Sequence, residues 1–560
     1  MTYDFDALLD RVEKPARYTG GEMNAEVKPI SQAEISFAFC FPDTYEVAMS
    51  HLGMKILYGI LNELPYAVCE RVCMPWVDML CELRKSNIPL CSLESHTPLS
   101  RFDIIGFTLQ YEMSYTNVLE MMDLGGVPVL SSERGEDDPI VLAGGPCAFN
   151  PEPLHLFIDA FLIGDGEDSI VEVTNVLNAC KKEGVPRAER LKRLASLRGV
   201  YVPGLYHDEY NADGTLKSLE PTDPCAPPRV LRSILTDFEN AYVPTRPPVP
   251  YIQPVFDRIM LEIMRGCTRG CRFCQAGMLY RPVRERSVDK LVELAKESVK
   301  NTGYEEISLS SLSSSDYSCI SELAGRLTDE LRDQRVSLSL PSLRVDKFVQ
   351  DTLTHTQKVK KSSLTFAPEA GTQRLRDVIN KNVTEADLVN TLTNAFSNGW
   401  NAIKLYFMTG LPTETDEDLI GIAELAKTAA GAYYSVPKEK RVKGLRIMCS
   451  AAVFVPKPFT PFQWCRQDDP ETVRRKQRLV REHFAPATTV EEFREGVAKQ
   501  FGLPDMAKED PQFPDLVLGE LAKRLVEDPD PADRMDGMPD DALRIMCAID
   551  ALAAHLDLDL

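Results

Sequence analysis

Residues 261–277 read LEIMRGCTRGCRFCQAG, an apolar strand-like run that ends in Cys267-x3-Cys271-x2-Cys274. A loop leaving a strand end can curl three thiolates toward one point, as a cubane iron–sulfur cluster requires. Three ligands for four irons leave one iron open to a small molecule, whereas sealed electron carriers take four cysteines. Gly266 and Gly270 permit the unusual dihedrals such a loop needs. Two plainer readings stand beside this one. A zinc site usually takes four ligands in paired C-x2-4-C units, and the other cysteines here are single with no nearby His. Three unrelated buried thiols are the other.

Working outward, strand-like segments recur on both sides of further helical stretches. IMLEIMRG, EEISLSS, VSLSLPS, SSLTFAPE, AIKLYFMTG and LRIMCSAAVFVP alternate with segments such as SVDKLVELAKESVKNTG. Six βα units over roughly 200 residues predict a partial (β/α) barrel, whose ligands lie at the C-terminal strand ends. Upstream, EISFAFCFP (34–42), FDIIGFTLQ (102–110), IVLAGGP (140–146) and FIDAFLIGDGE (157–167) read as buried strands ending in Gly-rich turns. MKILYGILNEL (54–64) and YTNVLEMMDLGG read as helices between them. This alternation predicts a Rossmann-like, doubly wound parallel sheet with its ligand turns at the carboxyl ends of the strands. The α/β chain therefore divides into an arm (1–30), this sheet domain (31–220), a Pro-rich connector (221–254), the barrel (255–465) and a helical, acidic C-terminal extension (466–560).

Composition bounds the function. Hydrophobic residues make up 44% and charged residues 26% of the 560, as in ordinary globular proteins. No run approaches the ~20 apolar residues of a membrane span. MTYDFDALLDRVEK lacks a secretory pattern, so a cytoplasmic location with reduced thiols is expected. Fifteen cysteines, an odd number spread along the chain, make a poor disulfide framework. The net charge of −21 disfavours nonspecific nucleic-acid binding. About half of that excess lies in residues 505–560, where fifteen acids face five bases. The basic run Arg474, Arg475, Lys476, Arg478 and Arg481 leaves RNA open as a partner, with a solvated helix face as the commoner reading.

The CxxxCxΦC spacing, with Phe273 before the third cysteine, resembles the signature of radical S-adenosylmethionine (radical SAM) enzymes. The resemblance extends over about 210 residues. It implies a [4Fe-4S] cluster on Cys267, Cys271 and Cys274 that chelates S-adenosylmethionine at its open iron. SLSSLSSSD (308–316) stands where the family carries a Gly-Gly-Glu-like motif for the methionyl amine, and offers Ser310 and Ser311 instead. LPSLRVD (340–346) is similar to the third-strand motif, which puts Ser342 and Arg344 near the ribose or carboxylate. FAPEAGTQRLRDVINK resembles the E-x-G motif, with Glu369 near the ribose and Arg374 or Arg376 near the carboxylate. YFMTGLPTETDED is similar to the G-x-P-x-E motif, with Gly410 beside the adenine. The family chemistry is reductive cleavage of S-adenosylmethionine to a 5′-deoxyadenosyl radical, fed by a reducing partner such as flavodoxin or ferredoxin.

With the sheet domain in front, the whole chain resembles an uncharacterised family of radical SAM proteins that carry a cobalamin-binding-like domain. The D-x-H-x-x-G signature that supplies a histidine beneath cobalt is absent, and His51-Leu-Gly53 is only a shortened echo. A histidine at a helix start is commonly a cap. Cobalamin binding and a degenerate docking domain both stay open, as does the choice between an enzyme with an unidentified substrate and a non-catalytic iron–sulfur binding or assembly protein.

Overall fold

The computed structural model describes residues 5–339 and 364–484. Of the described residues, those up to Lys476 belong to one compact unit and residues 477–484 to another. In the N-terminal part, β1 (Ile35–Phe41) is buried along its whole length, as an interior parallel strand must be. It is followed by α1 (Leu52–Glu63), β2 (Ala67–Cys73), α2 (Val77–Ser86), β3 (Ile104–Thr108), α3 (Tyr115–Leu124), β4 (Ile140–Gly144), β5 (Ala160–Leu162), α4 (Gly166–Glu183), α5 (Arg187–Ala195) and β6 (Val200–Tyr201). The sheet order is β2-β1-β3-β4-β5-β6, parallel except for the β6 edge. Alternate residues of β1 face opposite cores. Ala38 and Cys40 pack with Val118 and Met121 of α3, while Phe37 and Phe39 pack with Tyr58 of α1 and Val173 of α4. Helices on both faces make the sheet doubly wound.

β2 is poorly visible in the sequence because AVCERVC carries charges at its centre. Arg71 is nevertheless 1% exposed, paired with Glu22 at 2.7 Å and Glu94 at 2.6 Å. Paired this way, a buried guanidinium is tolerated. The hairpin of β7 (Tyr206–Tyr210) and β8 (Leu216–Pro221) closes this part as an addition to the expected pattern.

The second half supplies all six expected barrel strands. β9 (Ile259–Glu262), β12 (Glu306–Ser310) and β13 (Ser337–Ser339) form one parallel sheet in the order β13-β12-β9. β14 (Leu364–Glu369), β15 (Ala402–Thr409) and β16 (Arg446–Val453) form another, also parallel. Between β9 and β12 lie β10 (Met264–Arg265), β11 (Arg284–Glu285) and α6 (Val288–Thr302). The later helices are α7 (Ile320–Glu330), α8 (Gln373–Val378), α9 (Glu385–Ser397), α10 (Asp416–Ser435) and α11 (Pro470–Phe484). Ser287 caps α6 by accepting from the Lys290 amide, and Gly303 ends it at φ 73°. One expectation needs correction. IMLEIMRG is not a single strand, because β9 stops at Glu262 and Met264–Arg265 turns away to pair antiparallel with β11. That pairing closes the cysteine loop.

Candidate active site at the sheet ends and the barrel mouth

The loop from Gly266 to Cys274 is braced from several sides. Gly266 sits at φ 96°, and a Cβ there would lie 2.7 Å from the Tyr280 carbonyl oxygen, so only glycine fits. Arg269 donates to the Asp316 carboxylate beyond β12, with Nε at 2.7 Å. Asn380 Nδ2 donates to the Gly270 carbonyl at 2.9 Å, and the Arg272 amide donates to that of Ile379 at 3.0 Å. Cys271 is buried while Cys267 and Cys274 are half-buried, and all three are free thiols. Among the described residues no three Cys, His, Asp or Glu side chains form the ligand set of a single metal ion. No mononuclear zinc site is therefore assembled there. A cubane spreads its ligands over separate irons, and three cysteine thiols on one loop are the kind of donor set it takes. Phe273 packs into a small core with Leu375, Ile379, Leu411 and Phe454, so it anchors the loop between the ends of β14, β15 and β16.

The structure gathers most of the other candidate residues at the strand ends and separates their roles. Glu369 ends β14 at φ 71° and accepts from Lys381 Nζ at 3.1 Å. Arg374, half exposed, donates to Asp418 and to the Thr413 carbonyl at 2.8 Å. Arg376 departs from its expected place at a cofactor carboxylate. It is 1% exposed, and its donors go to the carbonyls of Val383 (3.0 Å), Ala370 (3.0 Å) and Gly371 (3.1 Å) and to Gln373 Oε1 (3.2 Å). The guanidinium therefore holds the Glu369–Gly371 turn from behind. Gly410 follows β15 at φ 83°, and its amide donates to Glu414 Oε1 at 2.8 Å. Glu414 also pairs with Lys476 at 2.8 Å, while its burial pushes its carboxyl pKa up. Ser311 Oγ lies 3.0 Å from Ser314 Oγ and, with Ser310, faces the cleft described next. Ser342 and Arg344 lie outside the described residues.

A cleft of about 400 Å³ opens where the sheet meets the barrel mouth. One wall is the end of the sheet, including His51, Gln110, Gly145 and Asp165. The other includes Arg265, Tyr280 and Ser310. The cleft lies at the reversal of strand order between β1 and β3, where doubly wound sheets bind ligands. His51 caps α1, its Nδ1 accepting from the Met54 amide at 3.0 Å, and burial pushes its pKa down to about 4. With Nδ1 used as an acceptor, the neutral ring carries its proton on Nε2. Neither nitrogen offers a free lone pair. Arg265, Arg284, Lys381 and Glu414 are site residues that the sequence reading did not single out. Their positions beside the cysteine loop and in the E-x-G and G-x-P-x-E turns were the available signal.

The family described as the radical SAM superfamily matches residues 261–426, the stretch that contains the end of β9, the braced cysteine loop and β12 to β15. The chain belongs to the radical SAM superfamily. The description "Radical SAM proteins, N-terminal" matches residues 53–203, within the sheet domain. The chain is 33% identical over 429 residues to the uncharacterized protein MJ0966 of Methanocaldococcus jannaschii, covering 76% of this chain and 78% of that one. In fold it is similar to the cobalamin-dependent S-adenosylmethionine radical enzyme OxsB with aqua-cobalamin and S-adenosylmethionine bound. That match has a TM-score of 0.52 at 14% identity, over 92% of this chain and 75% of that chain. The radical SAM methyltransferase TsrM from Kitasatospora setae matches with a TM-score of 0.48 at 12% identity, over 76% of each chain. This radical SAM enzyme thus has the α/β architecture expected, with the cofactors of its superfamily, a [4Fe-4S] cluster and S-adenosylmethionine. Among the described residues no helix is long and apolar enough to cross a membrane.

Proposed function

We propose that this radical SAM enzyme holds its cluster on Cys267, Cys271 and Cys274 and that S-adenosylmethionine lies across the ends of β12 to β15. The loop brace from Asn380 and Arg269 is the observation that carries this, because it draws the cysteines to the strand ends that hold Ser310, Glu369 and Gly410. When bound, the two cofactors supply a 5′-deoxyadenosyl radical for hydrogen-atom abstraction. The chain's own residues then have separable tasks. Ser310 and Ser311 offer hydroxyls toward the methionyl amine, Glu369 an acceptor for the ribose, and Arg374 a cation near the carboxylate. Ser342 and Arg344 complete the set by sequence. Gly410 leaves room beside the adenine, and Phe273 keeps the loop seated. We assign residues 31–220 to the sheet domain and 255–465 to the barrel.

The cleft at the barrel mouth supports cobalamin as a third cofactor. Phe37, Phe39, Ile56 and Leu57 give it an apolar wall, and Gly144, Gly145 and Gly164 line it at the strand ends. The aqua-cobalamin bound by OxsB points the same way. Cobalamin there would supply methyl-transfer chemistry facing the barrel. A protein imidazole beneath the cobalt is not part of this reading, because both nitrogens of His51 are committed.

The deciding experiment is anaerobic incubation of the reconstituted enzyme with dithionite and S-adenosylmethionine. The wild type releases 5′-deoxyadenosine, and the Cys267, Cys271 and Cys274 triple Ala variant neither binds iron nor releases it. An iron-replete wild type that leaves S-adenosylmethionine intact supports the iron–sulfur assembly reading instead.

A further inference from the structure

β10 and β11 are two residues each, yet they close the loop that carries all three cysteines. In their antiparallel register Arg265 stands directly opposite Arg284. Like charges so placed open a ribbon rather than hold it. The barrel supplies only part of the remedy, since Glu262 accepts from Arg265 Nε and Nη2, both at 2.9 Å. The remainder comes from the other domain. Asp165 accepts from Arg265 Nη1 on Oδ1 at 3.1 Å and from Arg284 Nη1 on Oδ2 at 2.6 Å. Glu167 adds a bond to Arg265 Nη2 at 2.7 Å. Among the described residues, Asp165 is the carboxylate that reaches Arg284. It occupies the N-cap position of α4 but makes no side-chain cap bond there, and Oδ2 also accepts from the Leu235 amide at 2.9 Å.

We propose that Asp165 is a positioning residue through which the N-terminal sheet domain clasps the cluster loop of the barrel shut. This rests on the reading of Cys267, Cys271 and Cys274 as the cluster ligands. Gly266 and Cys267 follow Arg265 directly, so the clasp fixes where the first thiolate starts. The same Gly164–Glu167 turn lines the cleft, and one carboxylate therefore joins the cleft wall to the cluster loop.

The test uses the full chain with Asp165→Asn, which keeps size and helix-capping ability but removes the charge, and with Asp165→Glu. In metal-free protein, native-state hydrogen exchange across residues 266–283 should rise by more than about tenfold in the Asn variant, as expected for the loss of charged hydrogen bonds. In reconstituted protein the reduced-cluster electron paramagnetic resonance line shape should change, and iron should be lost faster to a chelator. Asp165→Glu should return both toward wild type. Adding Arg284→Gln to Asp165→Asn should reverse the exchange increase, because the guanidinium repulsion is gone. Wild-type exchange and spectra in Asp165→Asn, or no reversal in the double variant, overturns the clasp. A wild type that takes up no iron sinks the cluster reading instead, and the metal-free exchange measurement still judges the clasp.

Discussion

Arg376→Met separates two roles for an arginine that the sequence placed at the cofactor carboxylate. The side chain is 1% exposed and its donors satisfy the carbonyls of Ala370, Gly371 and Val383, which methionine cannot do. An orphaned buried acceptor costs about 1–3 kcal/mol. Three of them set a gross loss of roughly 3–9 kcal/mol, reduced by relief of the buried guanidinium's own desolvation, which already lowers its pKa. A net loss of about 3 kcal/mol is expected, confined to the Glu369–Val383 turn. Because a chain of this size does not unfold in one step, the readout is native-state hydrogen exchange rather than a global melt. About 3 kcal/mol corresponds to roughly hundredfold faster exchange at residues 370–383, measured without S-adenosylmethionine. Arg376→Lys, able to reach one carbonyl, should fall between. Unchanged exchange together with weakened S-adenosylmethionine binding would refute the reasoning and return Arg376 to the cofactor.

His51 gives a pH signature. Its folded pKa of about 4 lies below the ordinary 6.5, so the unfolded chain takes up the proton first as pH falls. The stabilisation is present above about pH 6.5 and drains away toward pH 4. His51→Asn keeps a capping acceptor and should flatten that part of the stability profile, and an unaltered slope would contradict the buried neutral ring. Hydroxocobalamin titration should load the cleft, with no nitrogen hyperfine splitting from a protein imidazole on reduced cobalt. Splitting that disappears in His51→Asn would show that the cap breaks to ligate the metal.

Much of the architecture was legible because period and punctuation are local. EISFAFCFP could only be an interior strand, since seven successive residues without a polar face demand cover on both sides. The cysteine spacing and the order of the turns after it carried the superfamily. β2 escaped notice because its buried charges look like surface until Glu22 and Glu94 arrive from elsewhere in the chain.

What the sequence by itself determined is therefore most of the elements, their parallel alternation and the residues able to ligate a cluster. What only the tertiary structure decided is the use each polar group makes of its neighbours. Arg374 and Arg376 are two residues apart in one motif, yet one is half exposed at the strand ends and the other is spent on backbone carbonyls. His51 became a cap with a fixed proton, and Asp165 became the bridge between two arginines that local pairing alone would drive apart. Hydrogen bonds and charges act over a few ångströms in space, whatever the separation along the chain. The partners of a buried polar side chain come from folding, and sequence spacing does not name them.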